Sequence, residues 1–233
     1  MSQDDLLEPD TLKKLIIRQQ ETNADAVIPQ VVFYSEGEKP SRIDAGVTGD
    51  LSVILSGKEA YQLCLDYTIP GFALWQTDII RKEGMKTDAY NSDELAQRLW
   101  MLHCKNVAFS DARFLYRQDN PNAITKSFSK FHFTSINTIL HLLDSIYEQG
   151  LDENIIKKFR YDYFYSLRHL KVMYYIYRCN YSASEKKEIN SLLSKGYSIL
   201  SANTEGFDLL SKIAGKHRWL FSFISFLFSI KLR

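Results

Sequence analysis

Leu12, Leu15 and Ile16 recur at helical spacing, with Lys13, Lys14 and Arg18 on the other side. That pattern predicts a helix opened by Pro9 and Asp10 and closed at Asn23. Residues 26–34 are rich in Val, Ile and Phe and predict a strand. Pro29 cannot donate to a β-ladder, so it marks a bulge or an edge in that strand. Residues 35–50 are polar and contain glycine, which predicts a loop. Ser56-Gly57-Lys58-Glu59 has the form of a capping box and predicts a helix running to about Tyr67. Pro70-Gly71 predicts a turn, and residues 72–85 a short helix leading into a loop. Between Asn91 and Lys105 a further helix carries Leu95, Leu99 and Leu102 on one side. Val107-Ala108-Phe109 and the segment from Arg113 to Arg117 read as two short strands.

The pattern changes after Gln118-Asp119-Asn120-Pro121-Asn122. From Thr125 onward strand signal is scarce, and helices are predicted near residues 131–149, 153–179, 184–200 and 204–214. The chain therefore reads as an α/β part over residues 1–125 and a mostly helical part over residues 126–233. From Trp219 to Ile230 the tail is strongly apolar, at about two-thirds of the length a bilayer span needs. Ser222, Ser225 and Ser229 form a polar stripe along it, and Lys212, Lys216, Arg218, Lys231 and Arg233 flank it. Two readings of residues 212–233 stand side by side: a helix lying in a membrane interface, or one packed on the domain or on a partner.

Composition narrows the classes. Of 233 residues, 45% are hydrophobic and 24% charged, the balance of a globular protein with a real core. A net charge of +1 and the lack of a basic stripe with interleaved aromatics argue against nucleic acid as a partner. Cys64, Cys104 and Cys179 lie far apart without C-x-x-C spacing, so buried free thiols of a reducing compartment are expected. Acidic residues stand where a signal peptide would be basic. The five histidines show no ligand spacing, and no Walker A, G-x-S-x-G or G-x-G-x-x-G occurs.

Three clusters can carry chemistry, and each has a plainer alternative. Asp4 and Asp5 stand just ahead of the first helix, where adjacent carboxylates can hold Mg²⁺ or Mn²⁺ with phosphate oxygens; they can equally serve only the helix dipole. Asp93 and Glu94 open a helix after Asn91-Ser92, where a fixed carboxylate can act as a general base, or as no more than a first-turn acid. Arg117 ends a strand ahead of a polar loop and can pair with phosphate or stay solvated.

Taken in order, these pieces resemble glycosyltransferase family 2, of GT-A type. Ser2-Gln3-Asp4-Asp5-Leu6-Leu7-Glu8-Pro9 is similar to the family's Asp-x-Asp-Asp segment with its following Pro and Leu-rich helix. Ser56-Gly57-Lys58-Glu59-Ala60 and Gly71-Phe72-Ala73-Leu74-Trp75 resemble its middle region, Tyr90-Asn91-Ser92-Asp93-Glu94 its acidic motif, and Tyr116-Arg117 through Ile124-Thr125 its closing segment. The resemblance covers residues 1–128 and is similar to enzymes of bacterial capsule or lipopolysaccharide assembly. It implies a partial GT-A, Rossmann-like mixed sheet followed by the helical region. It implies a nucleotide-sugar donor, a saccharide or lipid-linked acceptor, and an inverting displacement assisted by a divalent cation, Mg²⁺ or Mn²⁺. In that scheme Asp4 is the metal and donor-phosphate ligand, and Asp5, Trp75 and Arg117 contact substrate. Asp93 deprotonates the acceptor hydroxyl, with Glu94 as the neighbouring candidate. Ser2 stands where the family has its first Asp, and about ninety residues of a nucleotide-binding half would precede this point. The expected location is the cytoplasm, peripheral to the inner face of a bacterial membrane. An inactive remnant or an interaction module is the alternative.

Overall fold

A computed structural model describes residues 4–43 and 46–232. Ser2 and Gln3, from the first acidic cluster, and Arg233 of the tail lie outside them. The chain forms two compact units, one of Met1–Met85 with Asp93–Ser127, the other of Lys86–Ser92 with Phe128–Arg233.

The first unit is α/β. Its mixed sheet has β1 (Leu6–Leu7), β2 (Ala26–Tyr34), β3 (Ser41–Ile43), β4 (Leu74–Trp75) and β5 (Val107–Arg117). β2 and β5 run parallel at its centre; β1 lies antiparallel on β5, and β3 and β4 lie antiparallel on the other edge of β2. Ala26, Val27, Ile28, Val31 and Val32 are all buried. That explains why β2 shows a near-continuous apolar run, since a central parallel strand is covered on both faces. The helix α1 (Thr11–Thr22) packs on β5 and β2 and is stitched to β5 from its side chains: Thr11 Oγ1 donates to the Arg113 carbonyl at 2.8 Å, and Arg18 Nε to that of Phe109 at 3.0 Å. As expected, α1 ends at Asn23, which takes the left-handed conformation at φ 50°.

Pro29 has the effect expected of it. Ile28 pairs with Phe109, but Gln30 pairs with Arg113, so the ladder is interrupted at the proline. Within the bulge the Ser110 hydroxyl accepts from the Ala112 amide at 3.1 Å, a local bond in place of a ladder bond. The two short strands expected here are consequently one strand, with the bulge inside it.

The capping box forms as predicted. Ser56 accepts from the Glu59 amide, and the Glu59 carboxylate accepts from the Ser56 amide at 2.8 Å, opening α2 (Gly57–Leu65). Gly57 is obligatory there, because a Cβ would stand 2.2 Å from the Met101 carbonyl oxygen. After β4 come α3 (Thr77–Glu83) and α4 (Ser92–Met101), the latter shorter than the stretch to Lys105 that its leucines suggested.

The second unit is helical: α5 (Ser135–Glu148), α6 (Glu153–Tyr177), α7 (Ala183–Leu200), α8 (Leu209–Lys216) and α9 (Arg218–Lys231). α6 is its axis and packs on α5, α7 and α9. α5 begins at Ser135 rather than near 131 because Lys130–Thr134 forms a tighter 3-10 turn. α8 begins at Leu209 rather than near 204, because Asp208 is its cap: its carboxylate accepts from the Ser211 amide at 3.0 Å. Arg160, buried in α6, donates to the Ile199 carbonyl at 2.8 Å and to the Tyr147 hydroxyl at 2.8 Å, satisfying the end of α7. Arg160→Met should lower the stability of this unit by about 2 kcal/mol, because it removes the charge-assisted bonds to the Ile199 and Leu200 carbonyls and to Tyr147; chemical denaturation would read it.

The serine stripe of the tail is largely turned inward. Ser225 and Ser229 are buried, with hydroxyls donating to the carbonyls of Phe221 at 2.7 Å and Phe226 at 2.6 Å. Small side chains on that side let α9 approach α6, and the larger ones are left outward. Among the described residues no helix is long and apolar enough to cross a membrane. The thiols also divide: Cys64 and Cys104 are buried, but Cys179 is exposed on the turn after α6, correcting the expectation that all three are buried. Burial pushes the Cys64 and Cys104 thiols up to about 12. A thiol reagent should therefore modify one cysteine in the native protein and three after denaturation.

Candidate functional site

The carboxyl ends of β2 and β5 meet the start of β1, and the acidic residues gather there. Leu6 and Leu7 pair with Leu115 and Phe114, which carries the preceding Asp5 and Asp4 to the end of β5. Asp5 is 5% exposed, and its Oδ1 accepts from the Arg117 amide at 3.2 Å. Asp4 is half-buried; its Oδ2 accepts from Asn120 Nδ2 at 2.6 Å. Tyr34, the last residue of β2, reaches the Asp4 carbonyl at 3.5 Å.

Tyr116 precedes Arg117 at the end of β5. Its hydroxyl is held above the usual phenol range, first by burial and then by the charges of Asp5, Asp93 and Asp4. One side chain thus feels all three carboxylates. Tyr116 is fixed by its neighbours: Phe33 meets its ring edge-on at 5.7 Å, and Phe72 tilts against it at 5.7 Å. Phe72 itself stacks on Phe114 at 4.8 Å.

Arg117 is the nearest guanidinium, and it is partly committed. Its Nε donates to Asp119 Oδ1 at 2.6 Å, while Asp119 Oδ2 accepts from the Glu36 amide at 2.9 Å. These bonds hold the Asp119 carboxyl below its ordinary range, the Glu36 amide first and Arg117 second. The Nη groups of Arg117 have no protein acceptor among the described residues, which leaves them able to meet a phosphate.

The two neighbouring acids of α4 separate in role. Glu94 is bound down: its Oε1 lies 2.7 Å from Arg98 Nη1 and accepts a hydrogen bond from the Tyr67 hydroxyl. The Arg98 side chain is only 4% exposed, donates through Nε to the Cys64 carbonyl at 3.1 Å, and lies over the Tyr67 ring at 4.8 Å. Glu94 is therefore the counter-charge of a buried arginine. Asp93 is exposed, in the first turn of α4, and no hydrogen bond or ion pair holds its carboxylate among the described residues. α4 is seated by buried Leu95 and Ala96 and by a close approach at Gly71, where a Cβ would stand 2.4 Å from Gln97 Oε1.

Trp75 is not part of this group. It pairs with Ala26 at the opposite end of β2 from Tyr34, roughly 20 Å or more along the strand. There it meets Trp100 edge-on at 5.4 Å, and Trp100 Nε1 donates to the Gly84 carbonyl at 2.9 Å. Sequence reasoning gave no role to Tyr116, Asn120 or Phe72, although all three lie within or beside the segments it singled out. Neither proximity nor packing can be read from spacing.

One carboxylate oxygen at this end of the sheet is open to a hard cation. Asp4 keeps Oδ1 without a hydrogen bond among the described residues, and hard cations take carboxylate oxygens. Among the described residues no group of three or more His, Cys, Asp or Glu is placed to cage an ion alone. Phosphate oxygens would have to complete the shell, as Mg²⁺ sites commonly allow. The class defined by these observations is an α/β unit with a carboxylate cluster outside the carboxyl ends of its parallel strands, where open α/β sheets bind ligands. No protein-family model matches the chain, and no curated protein matches it.

Proposed function

We propose that the chain is a glycosyltransferase of GT-A type, or part of one, that transfers a sugar from a nucleotide-sugar donor to a hydroxyl of a saccharide or lipid-linked acceptor. The observation that supports this reading is that Asp4 and Asp5 stand at the carboxyl ends of β2 and β5, and that Tyr116 there is raised by the charges of Asp5, Asp93 and Asp4.

In this scheme Asp4 would hold Mg²⁺ or Mn²⁺, which would supply charge stabilisation of the departing diphosphate. Arg117 adds its Nη groups to the same phosphates while Asp119 fixes its orientation. Asp5 is a positioning residue: its bond to the Arg117 amide fastens the start of β1 to the end of β5. Asp93 accepts the proton of the acceptor hydroxyl as the oxygen attacks the anomeric carbon and the nucleotide departs from the opposite face. Asp93 suits that role because its carboxylate is uncommitted, and Glu94 does not because its carboxylate already serves Arg98. Trp75 has no place in the scheme. The site of action that accompanies it is the inner face of a bacterial membrane.

Calorimetry with a panel of nucleotide sugars tests the proposal. Binding should require Mn²⁺ or Mg²⁺, vanish on chelation, and weaken at least about tenfold in Asp4→Asn. Binding that ignores both the metal and Asp4, or no binding across the panel, would favour an interaction module instead.

A further inference from the structure

α9 is apolar on both sides. Inward, Phe221, Ile224, Ser225 and Ser229 are buried. Outward, Trp219, Phe223, Phe226, Leu227 and Ile230 stand at i, i+4, i+7, i+8 and i+11, a full helical stripe. Trp219 is 69% exposed, Phe223 51% and Ile230 56%. α8 continues the pattern, with Leu209, Leu210 and Ile213 exposed and Ser211, Ala214 and Gly215 turned inward. A contiguous apolar face of this size is uncommon on a protein that stays in water.

The charge carried by the two helices themselves is one-sided, with Glu205 and Asp208 just ahead of them. From Leu209 to Leu232 there is no Asp or Glu, whereas Lys212, Lys216, Arg218 and Lys231 are all exposed. Lys212 and Lys216 share the outer side of α8 with Leu209 and Ile213, and Lys231 ends α9. This bias is local, because the whole chain carries only +1. α9 has 14 residues, about 21 Å of helix, too short to span a bilayer yet long enough to lie along one.

We infer that α8 and α9 form a membrane-docking surface for an anionic lipid bilayer. Trp219, Phe223, Phe226, Leu227 and Ile230 enter the boundary between headgroups and acyl chains, and Lys212, Lys216 and Lys231 meet lipid phosphates. A second copy of the chain fits less well. A two-fold contact sets the same surface against itself, and the carboxylates at its rim, Glu205 and Asp208, are already bonded within the chain to Lys157 and to Ser211, so the cations of the two copies would face one another. The docking surface does not depend on the glycosyltransferase reading, and its test uses no sugar.

Co-sedimentation of the 233-residue chain with vesicles decides it. The chain should pellet with phosphatidylcholine–phosphatidylglycerol vesicles and much less with phosphatidylcholine alone. Phe223→Ser with Leu227→Ser removes apolar area from outward positions, and should cut partitioning at least about thirtyfold with an unchanged circular dichroism spectrum. Lys212→Gln with Lys216→Gln should cut it on the order of tenfold, and added salt should erase that difference. The lysine pair, being exposed, keeps the test decisive if the serine pair does not fold. Failure to pellet with anionic vesicles, or binding indifferent to the lysine pair, overturns the inference. So does a stable dimer by light scattering that the serine pair dissolves, since it assigns the face to a second copy.

Discussion

Asp93→Asn should lower sugar transfer by about 10²- to 10⁴-fold, the contribution expected of a general base, and leave metal-dependent donor binding and thermal stability unchanged. The reason lies in what Asp93 touches. It is exposed in the first turn of α4, and its charge is registered at Tyr116 rather than in a salt bridge. Asparagine keeps the shape and the helix start but cannot take a proton. Single-turnover rates at saturating donor would isolate the chemical step from binding. Full activity in Asp93→Asn would remove it as the base.

Glu94→Gln, one residue away, should do the reverse. It should cost about 3 kcal/mol of stability, because it takes the Glu94 carboxylate away from the buried Arg98 guanidinium. The Arg98 side chain is 4% exposed, and a neutral amide cannot compensate its charge. The unfolding midpoint should fall by on the order of 10 °C. Donor affinity per folded molecule should hold. Equal stability of Glu94→Gln and the unsubstituted chain would mean that Arg98 finds compensation elsewhere. Measured together, the two substitutions assign one acid to chemistry and the other to structure.

The features legible in the sequence were those whose cause is local. The Ser56–Glu59 capping box, the end of α1 at Asn23 and the interruption at Pro29 each follow from the chemistry of one or a few adjacent residues. Features with distant causes were hidden. The alternation of β5 breaks at Ser110 and Asp111, so one strand looked like two; its continuity comes from pairing with β2. The spacing of Ser222, Ser225 and Ser229 revealed a stripe, but only packing on α6 shows that two of the three serines face inward. Asp93 and Glu94 are equivalent as letters, and Arg98 and Tyr67 make them different. Trp75 adjoins Phe72 in sequence, yet an extended backbone carries it away from Tyr116 and toward Trp100.

The bulge opposite Pro29 has a consequence for how the chain tolerates changes in length. From Ile28 to Gln30 is two steps along β2, while their partners Phe109 and Arg113 are four steps apart along β5. The surplus is even, so the facing of β5 has the same parity above the bulge as below it. Excising Ser110 and Asp111 together would shorten the strand and still deliver Phe114 and Tyr116 to their present side. Excising either one alone would leave one extra residue, which a single-residue bulge absorbs without turning over the strand beyond it. Because Pro29 keeps the ladder open at this point, β5 can change length there and still present Phe114 and Tyr116 where they are.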